Sequence, residues 1–243
     1  LNSSPGGLAN SSGVLGHYLM DHTWVAGGAS GEFPDTPNPK PSLGAAQRPN
    51  GIYGIRMKNT INGPRQKDYL RGFGFQGGGS TSFRMNAPGY GQAFKKGVLD
   101  PLTSVNLVGF GEVLPRFDNF VALDPTVVDM FGIPVLRITM TWGENEKKMI
   151  PDMAVTASQM MEAAGAKNIQ PFTALDRIPG FGIHEMGTAR MGADRKISVL
   201  NQFLQTHDIT NLYVMDASSF VSGGCQNPTL TIMALAVRGC DHL

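Results

Sequence analysis

Two segments of the sequence hold residue types that can handle a proton or a negative charge. The first is 182–192, GIHEMGTARMG, where His184 stands among glycines. A neutral imidazole near physiological pH can take the proton of a hydroxyl group, so His184 is a candidate general base. The second is 222–231, SGGCQNPTLT, in which Asn227 precedes Pro228 and PTLTIMALAVRGCDHL runs on with helical periodicity. Asparagine is a favoured N-cap and proline a favoured first helical residue. The resulting helix end presents N–H groups and partial positive charge, which suit an anion or a ring carbonyl that becomes negative. Each feature also has a plain structural reading. A lone histidine in a glycine-rich segment is ordinarily a polar loop residue, and a capping asparagine ordinarily only starts a helix.

Other chemistries find less support. Gly72, Gly74 and Gly77 match G-x-G-x-x-G, but the pattern follows KDYLR and precedes GGSTSFRMN, which predicts no helix. It reads as a glycine-rich loop and not as a dinucleotide site, which needs a strand before it and a helix after it. His17 and His22 lie close together, yet there is no H-E-x-x-H or C-x-x-C, so no metal site is predicted. The nucleophile elbow G-x-S-x-G is absent as well. Twenty basic and nineteen acidic residues leave a net charge of +1, and Lys95-Lys96, Lys147-Lys148 and Arg195-Lys196 are only doublets. A nucleic-acid partner is therefore not predicted. The longest apolar run, 230–237, is broken by Thr231 and falls far short of the ~18 residues of a membrane helix. Two cysteines, Cys225 and Cys240, make no disulfide framework.

The elements that must position these segments follow from periodicity. A chain of 243 residues, 41% apolar, forms one large domain or two small ones. Strands are predicted at 22–26, 52–57, 69–75, 103–113, 118–123 and 134–141, which suggests an antiparallel or mixed sheet. Residues 29–50, rich in proline, read as an exposed loop. A helix is predicted over 144–164, with Met149, Met153, Ala157, Met160 and Ala164 as a core stripe and Gly165 as its stop. Pro151 either kinks this helix or marks its true start. Residues 211–216, NLYVMD, read as a strand ending in Asp216, where α/β folds place ligands. The tail helix has Leu230, Met233, Ala234 and Val237 as its predicted buried face.

Taken together, HEMGTARMG, NLYVMDASSF and NPTLTIMALA resemble, in order and spacing, the C-terminal signature of the glucose–methanol–choline (GMC) family of flavin oxidoreductases. The opening GLANSSGVLGHYLMDH resembles the stretch leading from that family's flavin domain into its substrate domain, and FVALDPTVVDMFGIPVLRITMTWGENE is also similar. The resemblance implies an α/β (α+β) fold: part of a Rossmann-like FAD-binding domain plus a substrate domain with a mixed or antiparallel sheet. The N-terminal βαβ unit is missing, and the chain, which starts at Leu1, reads as the later part of a longer protein. The implied boundaries are 1–20 for the end of a flavin-domain segment, 21–183 for the substrate domain and 184–243 for the C-terminal flavin-domain segment.

By the same resemblance His184 falls on the catalytic histidine and Asn227 on its partner. Asp216 and Ala217 match the stretch along the cofactor's ribityl and phosphate part, and Pro228 and Thr229 the helix start facing the flavin ring; Asn227 borders the cofactor too. The implied cofactor is FAD. The implied reaction is oxidation of a CH–OH group of a sugar, glycoside or sugar acid, as in glucoside 3-dehydrogenases and the flavoprotein subunits of gluconate and fructose dehydrogenases. A small subunit or a cytochrome is the implied electron acceptor, and the periplasm is favoured over the cytoplasm. Alternatives are an oxidase using oxygen, a lyase whose flavin stays oxidised, and an inactive fragment.

Overall fold

A computed structural model describes residues 7–36, 51–61, 63, 65 and 67–243. In chain order the elements are β1 (Gly27–Phe33), β2 (Gly51–Tyr53), β3 (Phe73–Ser82), α1 (Gly91–Leu99), β4 (Leu102–Gly111), β5 (Phe120–Val128), β6 (Pro134–Thr139), α2 (Glu144–Ala163), β7 (Lys167–Thr173) and α3 (Thr229–His242). They belong to two compact units. One comprises Leu1–Thr23, Glu112–Glu146 and Ile178–Leu243, the other Trp24–Gly111 and Lys147–Arg177.

The second unit is built on a five-stranded sheet of order β2-β3-β4-β1-β7, every neighbouring pair antiparallel. The stripe predicted on α2 supplies its core. Met149, Met153 and Ala157 are fully buried against Ala29 of β1, Phe73 and Phe75 of β3 and Leu107 of β4, with Met160 partly buried beside them. Ala164 is exposed and Met161 is buried in its place, because the contact line on a helix drifts off a strict three-four spacing. The helix passes close to the sheet: a Cβ on Gly109 would stand 2.5 Å from Met153 Sδ. Pro151 lies inside α2 and does not start it. The start is instead fixed by Glu146, whose Oε2 accepts the Gly143 N–H at 2.8 Å, one arm of a capping box. Gly165, at φ +84°, follows the helix end as expected.

Several sequence expectations shift. Residues 29–33 belong to β1 rather than to a loop, while 37–50 lie outside the described residues. The strand expected at 22–26 begins only at Gly27, and His22 makes an isolated bridge to Glu112. The polar edge strand β7, with Pro171 inside it, and the short helix α1, whose nine residues include Gly91 and Gly97, lack the composition of a readable strand or helix. Gly72, Gly74 and Gly77, expected in a glycine-rich loop, lie at and within β3, because β2 and β4 complete the ladder of this strand on both sides.

In the first unit β5 and β6 form an antiparallel hairpin. Asp129 Oδ1 closes its turn by accepting the Phe131 and Ile133 N–H groups. The segment 16–22 runs between two others: Gly16 N–H reaches Thr188 O at 2.7 Å, Val121 N–H reaches Gly16 O at 2.9 Å, and Leu19 N–H reaches Asn119 O at 2.9 Å. Buried Asn119 in turn accepts the Thr141 N–H and donates to Thr141 O. The tail helix reverses its expected orientation. Ile232 and Leu235 pack on Met20, Met186 and Phe220, and Gly239 is buried. Leu230, Met233 and Val237, the expected buried face, are 78%, 60% and 61% exposed. The helix is apolar on both sides, so its periodicity alone could not say which side packs within this unit.

Candidate active site

The position of His184 follows from backbone register. Met20 and Met186 form an antiparallel bridge, with N–H···O distances of 2.8 and 3.0 Å. Facing residues in an antiparallel pair keep a constant sum, here 20 + 186 = 206, so His22 comes opposite His184. Alternation then puts both rings on one side. His22 Nδ1 lies 3.0 Å from His184 Nδ1, and the ring planes stand at 88°. His22 is 2% exposed, whereas His184 is half-buried.

The neighbouring Asp21 grips the same segment from its backbone. Its Oδ2 accepts the Gly182 N–H at 2.6 Å and its Oδ1 the His184 N–H at 3.2 Å. Between those two donors Ile183 is held at φ +55°, a left-handed conformation that is costly for a β-branched residue. The glycines on either side of His184 are needed for contact. A Cβ on Gly182 would meet Asp21 Oδ1 at 2.4 Å, and one on Gly187, at φ +98°, would meet Tyr18 O at 2.3 Å. Burial holds the His22 pKa below the usual histidine value; His184 acts in the same direction, against the Gly224 carbonyl and Asp21.

His22 also touches the second candidate segment. Its Nε2 lies 2.6 Å from Gly224 O, three residues before the exposed Asn227. The helix start is displaced by one residue from the expectation. Pro228 is the N-cap, in αR conformation, its carbonyl accepts the Ile232 N–H at 3.0 Å, and Thr229 is the first helical residue. The first turn of α3 holds no acidic side chain, so its positive end is not neutralised from within.

Asp216 does not end a strand. Tyr213 makes a single bridge to Gln205, and the Asp216 side chain caps a short 3-10 turn, Ala217–Ser219. Its Oδ1 accepts the Ser218 N–H at 2.8 Å and the Ser218 hydroxyl at 2.5 Å. A short-range side-chain cap has replaced the ladder that an apolar run would favour. The turn is nevertheless fastened to the segment leaving His184. The carbonyls of Ala217, Ser218 and Ser219 accept the N–H groups of Gly187, Ala189 and Met191 at 3.2, 2.8 and 2.9 Å. All six candidate residues thus lie in one unit. His184 is linked to the Asn227 segment through His22 and to the Asp216–Ala217 turn through 187–191.

Sequence reasoning missed Asp21 and gave His22 no role beyond a rejected metal pair. Both sit in HYLMDH, and their signal is legible only once that segment is laid antiparallel to HEM. Among the described residues no group of three or more His, Cys, Asp or Glu is placed to hold a metal ion, and no helix is long and apolar enough to cross a membrane.

Residues 115–236 match the GMC oxidoreductase family. The chain is 33% identical over 248 residues to a 2-methyl-1,2-propanediol dehydrogenase of Mycolicibacterium austroafricanum, covering 98% of this chain and 43% of that protein. It is 27% identical over 256 residues to the fructose dehydrogenase large subunit of Gluconobacter japonicus, covering 99% of this chain and again 43% of the relative. Relatives named as oxidases occur at 29–33% identity over shorter stretches. Among solved structures, pyridoxine 4-oxidase from "Mesorbium loti" superposes with a TM-score of 0.51 at 15% identity, over 94% of this chain and 43% of the other. That likeness concerns the fold, a mixed α/β arrangement with antiparallel sheets. The chain spans less than half the length of these proteins, and by the family match over half of its own residues it belongs to the GMC oxidoreductase family.

Proposed function

We propose that this chain carries the proton-handling side of a flavin-dependent oxidation of a CH–OH group in a sugar, glycoside or sugar acid. The observation that carries the reading is the fastening of His184. Its backbone is gripped by Asp21, its ring abuts His22, and the same His22 holds the segment that bears Asn227. A half-buried imidazole fixed in this way suits general-base catalysis, which needs a positioned proton acceptor.

Oxidation of the alcohol removes the hydroxyl proton and a hydride from the carbon, and leaves a carbonyl product. FAD, when bound, supplies the two-electron acceptor for that hydride. His184 takes the hydroxyl proton. Asn227 donates a hydrogen bond to the same oxygen and so orients the C–H bond. The start of α3 at Pro228 and Thr229 fits an electron-rich ring, because its first turn offers N–H dipoles and no opposing carboxylate. Asp216 and Ala217 would hold the ribityl and phosphate part. In this reading 1–20 and 184–243 belong to the flavin domain and 21–183 to the substrate domain, and the βαβ unit for the adenine half is supplied by further polypeptide. Electrons leave to a small subunit or a cytochrome, and the periplasm is the favoured compartment.

The test is anaerobic absorbance of the full-length, flavin-loaded protein with a panel of polyols, glycosides and sugar acids. Bleaching by one of them, slowed about 10²–10⁴-fold in His184→Ala, is the expected outcome. A flavin band that no substrate bleaches overturns the reading. Relatives with oxidase names favour oxygen as a second acceptor, and peroxide formed in air would mark that version.

A further inference from the structure

We propose that His22 is a positioning residue that sets the tautomer of His184, holding its hydrogen on Nδ1 and leaving Nε2 as the base. The inference rests on the reading of His184 as general base. It begins at the other end of the pair. A carbonyl oxygen only accepts hydrogen bonds, so the 2.6 Å contact with Gly224 O requires a hydrogen on His22 Nε2. A neutral imidazole carries one N–H, so His22 Nδ1 then has a lone pair. Burial at 2% exposure keeps His22 in that neutral form. The 3.0 Å contact between the two Nδ1 atoms therefore has one sense: His184 donates and His22 accepts. With its single hydrogen spent on Nδ1, neutral His184 keeps its lone pair on Nε2, the ring atom away from His22.

The reverse tautomer of His184 would set two lone pairs against each other at 3.0 Å. The backbone that presents the ring is held in place, because Asp21 accepts the His184 N–H and Ile183 stands in the left-handed region beside it. Proton uptake at Nε2 makes His184 an imidazolium, and the bond from its Nδ1–H to His22 becomes charge-assisted. His22 thus orients the base and stabilises its product form without touching substrate. The titratable groups around His22 are His184, Asp21 and Glu112, the last buried and across its backbone bridge.

The direct test is a ¹⁵N-histidine spectrum of the flavin-loaded protein without substrate, at mildly alkaline pH. His184 is expected to show a protonated Nδ1 and a bare Nε2, and His22 the opposite. A His184 ring protonated on Nε2 overturns the proposal. Two variants add a functional readout. His22→Gln keeps an acceptor for His184 and a donor for Gly224, and is expected to retain kcat within a few-fold. His22→Ala is expected to lower kcat about 10–100-fold, the size of loss seen when metal-bound histidines lose their orienting partner. It should also move the acidic limb of the kcat/KM profile to lower pH, since the imidazolium loses its acceptor. Equal loss in both variants with an unmoved limb would make His22 a packing residue only. The spectrum is read without turnover, so a protein that oxidises no alcohol overturns the proposed function and leaves the tautomer assignment standing.

Discussion

In the sheet unit, Phe73, Phe75, Met149 and Met153 are fully buried in one cluster that joins three strands to α2. In the unit that carries His184, the buried apolar residues fall into smaller groups, such as Val14, Ala189, Val199 and Leu200, or Met20, Met186 and Phe220. There the segments are held by isolated bridges and by side chains bonded to distant backbone, as with Asp21, Asn119 and His22. Apolar packing is non-directional and fixes a layer. Hydrogen bonds fix atoms, and a site that must present one ring nitrogen to a hydroxyl needs the second kind. The site unit also leaves apolar surface uncovered. Leu230, Met233 and Val237 on α3, and Val127, Val128, Leu136 and Ile138 in the β5–β6 hairpin, are all exposed. Under the proposed function, the remainder of the flavin domain is what would cover the α3 face.

This contrast can be broken experimentally. The largest effect is expected in the sheet unit. Phe73→Ala should cost about 3–5 kcal/mol, read as lost amide protection across β3 and β4. If the His22 and His184 ring signals vanish to the same degree, the two units are not separately held. Gly187→Ala should cost about 1–3 kcal/mol, because it adds strain at φ +98° and pushes Tyr18 O away. Its loss of protection should centre on 184–191 and leave the sheet unit intact.

Acid should act on the site unit in particular. Unfolded, His22 titrates near about 6.5; folded, its pKa is lower. Between those two values the unfolded chain binds a proton that the folded chain does not. Stability therefore falls as pH drops below about 6.5, by at most about 1.4 kcal/mol per pH unit, and is unaffected by this group above it. Denaturation midpoints across pH should show that slope in the wild type and lack it in His22→Gln. The smallest effect sharpens the contrast from the other side. Leu230→Gln and Val237→Gln should change the stability of this chain by no more than about 0.5 kcal/mol, since both side chains already face solvent. A loss comparable to that of Phe73→Ala would mean that the α3 stripe is packed after all.

The sequence alone determined α2, because Met149, Met153 and Ala157 recur at helical spacing on one side only and that side found the sheet. It determined the hairpin strands near 120 and 134 and the helix beginning within a residue of Pro228. It also marked the segments HEMGTARMG and QNPTLT, whose spacing carries the family resemblance. Three things were decided only by the tertiary structure. The packed face of α3 was one, since Ile232 and Leu235 compete with Leu230 and Met233 on a helix that is apolar on both sides. The role of Asp216 was another: a carboxylate that bonds the N–H two residues on ends a strand that apolar composition favours. The third was the meeting of His22 with His184 across 162 residues of chain. Local periodicity encodes which side of an element is apolar, but partner and register belong to long-range pairing. That pairing decides which nitrogen faces which.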